Sequence, residues 1–257
     1  MGLTVDLGGR RILVTGASSG IGAATCRSIV GCGGSVAMLA RRKDRLDDLR
    51  DELGDRAVGV RADVTDHERL AGAIDEAAEL LGGLDGVVAV AGRAMAGSIT
   101  GGEPERWREL LDLNLIGPLA TVRRAVTHFP ASGRRDVVLL GSTAGITALV
   151  GAAIYSASKR GLEAACDSLR LELAPAGVNV GLVMPGMFET EGLTLEGIVI
   201  DGDVPPDDTP LLVPGDGPGS GPGSPGAVAD SIAFMLGLPD GVGINELVIR
   251  PTGQLNP

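Results

Sequence analysis

The sequence predicts an α/β fold: a single doubly wound parallel sheet with helices on both faces, running through residues 1–257 as one domain. Short aliphatic runs alternate with longer segments of helical period, the order that builds a parallel sheet. A glycine-rich turn, Gly16-Ala-Ser-Ser-Gly20-Ile-Gly22, stands between the first run and the first helix. The later runs end one after another in small or polar residues. In an open parallel sheet those carboxyl ends are where ligands bind.

Composition sets the limits. A chain of 257 residues fits one α/β domain with an ample core, and 44% hydrophobic content with only 2% aromatics makes that core aliphatic. A net charge of -11 argues against nucleic acid or an anionic membrane as the main partner. Cys26, Cys32 and Cys166 are odd in number and lack CxxC or Cys/His ligand spacing, which fits reduced thiols and a cytoplasmic protein without a metal site. His67 and His128 sit in polar helical contexts and read as surface residues. No segment reaches the ~18 apolar residues needed to span a bilayer. The N-terminus lacks the basic-then-apolar order of a signal peptide.

Arg11–Thr15 is the first predicted strand and stops at the glycine turn; a helix follows to about Val30. A turn of this kind lets a backbone approach a pyrophosphate, while the helix N-terminus offers free N–H groups and partial positive charge. The spacing of Gly16, Gly20 and Gly22 is G-x-x-x-G-x-G rather than the usual dinucleotide fingerprint. Thr15-Gly-Ala-Ser-Ser-Gly-Ile-Gly22 instead resembles the cofactor turn of the short-chain dehydrogenase/reductase family, whose fold is the Rossmann type. The resemblance implies that Gly16, Ser18, Ser19, Gly20, Ile21 and Gly22 face a nicotinamide dinucleotide.

Ser35–Ala40 is the second strand and runs into Arg41-Arg42-Lys43. An acidic residue there would accept from a free ribose 2′-hydroxyl, whereas arginine accommodates a 2′-phosphate. Position 40 is alanine, so Arg41 and Arg42, with Ser18 adding a hydroxyl, point to NADP(H). The alternative is that these cations solvate the charged helix that follows. Ala57–Ala62 is the third strand; Asp63 and Val64 after it lie beside the adenine in the resembled family. A helix is expected from about Glu68 to Leu81. Gly86–Val90 is the fourth strand, closed by Ala91 and Gly92, with Val90 where the family commonly has asparagine.

Pro104 opens a predicted long helix continuing to about Phe129, with the only tryptophan, Trp107, as a packing residue at its start. Asn114 falls inside the apolar part of that helix, where an unpaired amide would be costly. With Gly117 it matches the family's Asn-x-x-Gly, which implies a locally opened helix and a proton path from a lysine. Asp136–Leu140 is the fifth strand and Ser142 leaves its end. Thirteen residues on comes Tyr155, with Lys159 four further, one helical turn apart and so on one face. A phenol is a poor proton donor at neutral pH, with a reference pKa of ~10, and a neighbouring ammonium favours the phenolate. Ser142 would hold a substrate oxygen against the phenol. The catalytic set is therefore Asn114, Ser142, Tyr155 and Lys159.

Gly177–Val183 is the sixth strand and runs into Pro185, Gly186 and Thr190, which match the family's nicotinamide-carboxamide motif. Residues 187–226 contain eight acidic residues and no Lys or Arg; they read as a substrate loop, with 214–226 a Gly/Pro-rich flexible part. Ala94, Met95, Ile146, Leu149, Met187 and Phe188 are the expected substrate-pocket residues. A helix at Ala227–Leu236 and a last strand from Ile244 complete the chain, whose Arg250-Pro-Thr-Gly-Gln254 resembles the ending of a subset of the family. The resemblance implies an NADP(H)-dependent reductase or dehydrogenase acting on a carbonyl/alcohol pair, assembled as a homotetramer or homodimer. An enzyme of the same site with a non-redox net outcome, or a catalytically silent NADP-binding protein, are the alternatives.

Overall fold

The computed structural model describes residues 5–147, 149–190, 199–201 and 221–254. Nine strands alternate with seven α-helices among them. The strands are β1 (Arg11–Thr15), β2 (Ser35–Ala40), β3 (Ala57–Arg61), β4 (Gly86–Ala89), β5 (Met95–Ala96), β6 (Arg135–Leu140), β7 (Val178–Pro185), β8 (Val199–Ile200) and β9 (Glu246–Ile249). The helices are α1 (Gly20–Gly31), α2 (Lys43–Leu53), α3 (His67–Leu81), α4 (Pro104–Leu111), α5 (Gly117–Ala125), α6 (Ala153–Leu173) and α7 (Pro225–Leu236). Seven strands form one parallel sheet in the order β3-β2-β1-β4-β6-β7-β9. The predicted doubly wound α/β fold is the observed one.

Alternation along each strand feeds two cores. Ile12 and Val14 join the cluster that includes Cys26 and Ile29 of α1 and Val228 and Ile232 of α7. Leu13, between them, points the other way, into the cluster with Ile74 of α3, Val122 of α5 and Leu162 of α6. Each such fully buried aliphatic side chain contributes ~1.5–3 kcal/mol of apolar burial. Strand order reverses beside β1, between β1 and β4, and this is the switch point where a crevice opens beyond the strand ends.

Two predicted elements differ in extent and one observed element was not predicted. The long helix from Pro104 is interrupted: α4 ends at Leu111, residues Asp112–Ile116 form a π-helical turn, and α5 begins at Gly117. Apolar periodicity continues through this stretch and does not reveal the break; the local opening at Asn114 is the one the Asn-x-x-Gly match implies. The last strand is shorter, Glu246–Ile249, because Pro251 has no N–H for the ladder and Gln254 N–H turns back to Pro251 O at 3.0 Å. A two-stranded parallel ribbon, β5 with β8, was not expected. Most of the predicted substrate loop, 191–198 and 202–220, lies outside the described residues, as does most of its 214–226 part. No helix among the described residues is long and apolar enough to cross a membrane.

Candidate active site

Glycine builds the floor of the crevice. Gly16 takes φ +69°, and a Cβ there would stand 2.9 Å from Ala91 Cα and N. A Cβ on Gly22 would meet Gly16 O at 2.2 Å, so the turn closes only without side chains at these two points. The N-terminus of α1 then faces the crevice with its first N–H groups unclaimed by the helix. Ser19, at its N-cap, makes no capping bond with its side chain. Its Oγ instead accepts Arg42 Nη2 at 2.7 Å, and Ser18 Oγ accepts Arg42 Nε at 3.2 Å and Nη2 at 3.1 Å.

That arrangement separates the three cations. Arg42 turns onto the glycine turn, whereas Lys43 pairs with Asp47 at 2.6 Å along α2 and serves the helix. Arg41 is 72% exposed, with Nη1 3.8 Å from Asp63 Oδ2. Asp63 is itself fixed by Thr65, whose N–H and Oγ donate to Oδ1 at 3.0 and 2.8 Å. A rigid cationic fork beside two hydroxyls and a helix N-terminus fits a phosphorylated nucleotide.

The crevice holds about 520 Å³. All the predicted cofactor residues line it, from Gly16, Ser18, Ser19, Gly20, Ile21 and Gly22 through Arg41, Arg42, Asp63, Val64, Ala91 and Gly92 to Pro185, Gly186 and Thr190. Ser142, Tyr155 and Lys159 line it as well, so three of the four expected catalytic residues share the cavity. Asn114 stands behind it, fully buried. Val90, where the family commonly has asparagine, is buried in the aliphatic core, and Ala91 N–H is tied across to Thr15 Oγ at 3.3 Å.

Ser142 caps the short 3-10 turn Thr143–Gly145, its Oγ accepting Ala144 N–H at 3.1 Å. Tyr155 sits in the first turn of α6 and lines the same crevice as Ser142. Lys159, one turn later and buried, donates to Leu140 O at 2.8 Å, with Nζ 6.0 Å from the centre of the Tyr155 ring. The expected lowering of the Tyr155 pKa is not what this geometry gives. Burial pushes the phenol up from its ordinary value, and the neighbouring Ser142 hydroxyl pulls only partly against it. Lys159 is brought down to about 8 because burial disfavours its charged form.

The π-helical turn explains how a buried asparagine is tolerated. Asn114 Oδ1 accepts Arg93 N–H at 3.0 Å, and Nδ2 donates to Arg93 O at 2.9 Å and to Ser158 Oγ at 3.2 Å. Its amide so clamps the backbone directly after Gly92 against α6. A Cβ on Gly92 would lie 3.0 Å from Asn114 Oδ1 and 3.7 Å from Lys159 Nζ, which puts the clamp within one side-chain width of the ammonium. Gly117 lets the start of α5 approach Val64, whose Cγ2 would be 3.0 Å from an added Cβ.

The expected substrate-pocket residues divide. Ala94 and Phe188 line the main crevice, and Met95 lines a small neighbouring cavity that also touches Tyr155. Ile146, Leu149 and Met187 line neither. His67 and His128 face carboxylates at the surface, at 3.2 Å from Asp112 and 2.7 Å from Asp75. Among the described residues no His/Cys/Asp/Glu group could hold a metal ion.

Sequence reasoning missed Asp201. This carboxylate is 2% exposed and accepts Glu103 N–H at 3.0 and 3.2 Å and Trp107 Nε1 at 2.7 Å. Its own N–H donates to Ala96 O at 2.9 Å, continuing the β5–β8 ribbon. Trp107 is therefore a donor that fastens the segment after β7 to the start of α4, not a packing residue alone. Asp201→Ala leaves both donors without an acceptor and is expected to cost ~1–3 kcal/mol. Thermal unfolding reads the loss, and the emission of Trp107, the only tryptophan, reads its place. An unchanged melting temperature with unchanged emission would remove Asp201 from this role.

Comparison with known proteins agrees with the geometry. The sequence profile described as short chain dehydrogenase matches residues 10–196. The chain is 35% identical over 253 residues to the glycine betaine reductase ATRR of Emericella nidulans, covering 96% of this chain but 19% of that protein. It is similar to the crystal structure of a short-chain dehydrogenase from Streptomyces avermitilis, with TM-score 0.82 and 31% identity over 93% of this chain and 88% of that one. A closed form of serine dehydrogenase complexed with NADP+ matches with TM-score 0.79 and 26% identity, over 93% and 94% of the two chains.

Proposed function

The chain belongs to the short chain dehydrogenase family, and from that premise we propose that it is an NADP(H)-dependent oxidoreductase interconverting a carbonyl and an alcohol, with Tyr155 as the general acid or base. The observation that carries the proposal is that Ser142, Tyr155 and Lys159 line one crevice together with the glycine turn. The choice of NADP(H) is supported by Arg42, held on Ser18 and Ser19 at the crevice end nearest β2.

The glycine turn and α1 N-terminus would hold the pyrophosphate, Arg42 and Arg41 the 2′-phosphate, Asp63 and Val64 the adenine side, and Pro185, Gly186 and Thr190 the nicotinamide end. When bound, that cofactor gives or accepts hydride. In reduction, Ser142 donates a hydrogen bond to the carbonyl oxygen and holds it against Tyr155. Tyr155 gives its proton to that oxygen, so one hydride and one proton convert carbonyl to alcohol. Lys159 supplies the positive charge that eases the phenolate left behind. Asn114 fixes the Arg93 backbone beside that ammonium and is the proposed next member of the proton path.

The test is NADPH consumption across a panel of ketones and aldehydes. Reduction needs a neutral phenol and a charged ammonium. With the phenol pushed up and Lys159 near 8, both hold below about pH 8. We expect kcat/KM for NADPH to fall as pH rises through about 8. Lys159→Arg, whose charge persists, should lose that limb. NADPH binding without consumption over the whole panel would instead identify a silent binding protein. Conversion of substrate with no net change in NADP(H) would identify a non-redox outcome. The family resemblance also supports a cytoplasmic homodimer or homotetramer, a proposal that Leu171, 80% exposed on α6, suits and that sedimentation reads.

A further inference from the structure

β7 leaves the sheet at Pro185, and the next few residues form part of the wall of the crevice that Ser142 also lines. This wall has little secondary structure of its own. Gly186 N–H reaches Ile249 O of β9 at 2.8 Å, and Met187 O and Glu189 N–H bond Gly223, at 2.9 and 2.8 Å. Between these two anchors one backbone donor, Met187 N–H, has a side chain for its partner: Gln254 Oε1 at 2.8 Å. The two residues are 67 positions apart.

Gln254 does more than accept a hydrogen bond. A Cβ built on Gly186 would stand 2.1 Å from Gln254 Oε1 and 2.9 Å from Arg250 Cγ. The glutamine amide thus lies against the bare face of Gly186 and occupies the room a side chain there would need. Gln254 N–H bonds Pro251 O at 3.0 Å, and this turn after β9 directs the side chain back toward β7. Gln254 does not line the crevice, whereas Pro185, Gly186, Phe188 and Thr190 do. Its effect on any ligand must pass through the shape of that loop.

From these contacts we infer that Gln254 is a positioning residue: it locks the Pro185–Thr190 loop in the conformation that receives the nicotinamide half of the cofactor. The inference rests on the NADP(H) reading above. It assigns the C-terminal turn a role in cofactor binding at the end remote from Arg42.

The experiment separates the two ends of the cofactor. NADPH spans the whole crevice, while adenosine 2′,5′-bisphosphate engages only the glycine-turn and arginine end. Gln254→Ala leaves Met187 N–H without its acceptor and Gly186 uncovered. It is expected to weaken NADPH about tenfold, the worth of one hydrogen bond at a partly buried donor, and to reduce the rise in NADPH emission on binding. Adenosine 2′,5′-bisphosphate should bind the variant and the wild type alike. Gln254→Glu keeps an acceptor oxygen and should recover most of the NADPH affinity. Equal losses for both ligands would overturn the inference, since they signal general damage, and so would unchanged NADPH affinity with unchanged emission. If wild-type protein prefers NADH and ignores adenosine 2′,5′-bisphosphate, the NADP(H) reading is what fails. The same comparison run with NADH and ADP then decides Gln254 by the same criteria.

Discussion

Tyr155→Phe is expected to lower turnover by more than ~100-fold while leaving NADPH binding in place, the signature of losing a general acid rather than a binding residue. The substitution removes one oxygen and keeps the ring, so α6 and the crevice wall should not move. Ser142 keeps Ala144 N–H as a donor to its Oγ. No other phenol can replace the lost proton, since this is the only tyrosine in the chain. The measurement pairs steady-state turnover on an active carbonyl with NADPH titration of both proteins. A variant that retains wild-type turnover would end the assignment of Tyr155 as the acid. A variant that no longer binds NADPH would show instead that the hydroxyl is part of the binding surface.

The features legible in the sequence are those whose chemistry is short-range. The glycine turn could be read because Gly16 and Gly22 collide within six positions, Gly22 against the carbonyl of Gly16 itself. Tyr155 and Lys159 could be read because one helix fixes their separation, and Asn114 with Gly117 because both lie in one interrupted helix. The parallel sheet followed from aliphatic runs whose alternate residues fill two cores. What stayed hidden depends on partners far along the chain. Asp201 gains its role from Trp107, 94 positions away, and Gln254 from Met187. The opened turn at Asn114 is implied by the Asn-x-x-Gly match, but the Arg93 backbone that holds its amide, 21 positions back, is recorded by no helical period. The sign of the Tyr155 shift was also beyond spacing. Residue order puts an ammonium one turn away, but the packing that desolvates both groups, and the Leu140 carbonyl that takes the lysine, come from the fold.

The position of Arg42 gives a second large and directional expectation. Arg42→Ala should weaken NADPH by about 10- to 100-fold and NADH by far less, since a hydrogen bond between charged groups is worth ~1.5–3 kcal/mol and NADH carries no 2′-phosphate to form one. Arg41→Ala should act in the same sense but more weakly. Its guanidinium is 72% exposed and 3.8 Å from Asp63, whereas that of Arg42 is already fixed on Ser18 and Ser19 and has less conformational freedom left to lose on binding. Salt should narrow the Arg41 effect more, because an exposed charge is the better screened. Titration of both variants with NADPH and NADH at two ionic strengths checks the ordering. Equal losses for the two cofactors would refute a 2′-phosphate site here. A larger loss at Arg41 would place the phosphate nearer β3, beside Asp63, where the carboxylate's negative charge would oppose it. That repulsion is the physical reason to expect Arg42 to carry the preference.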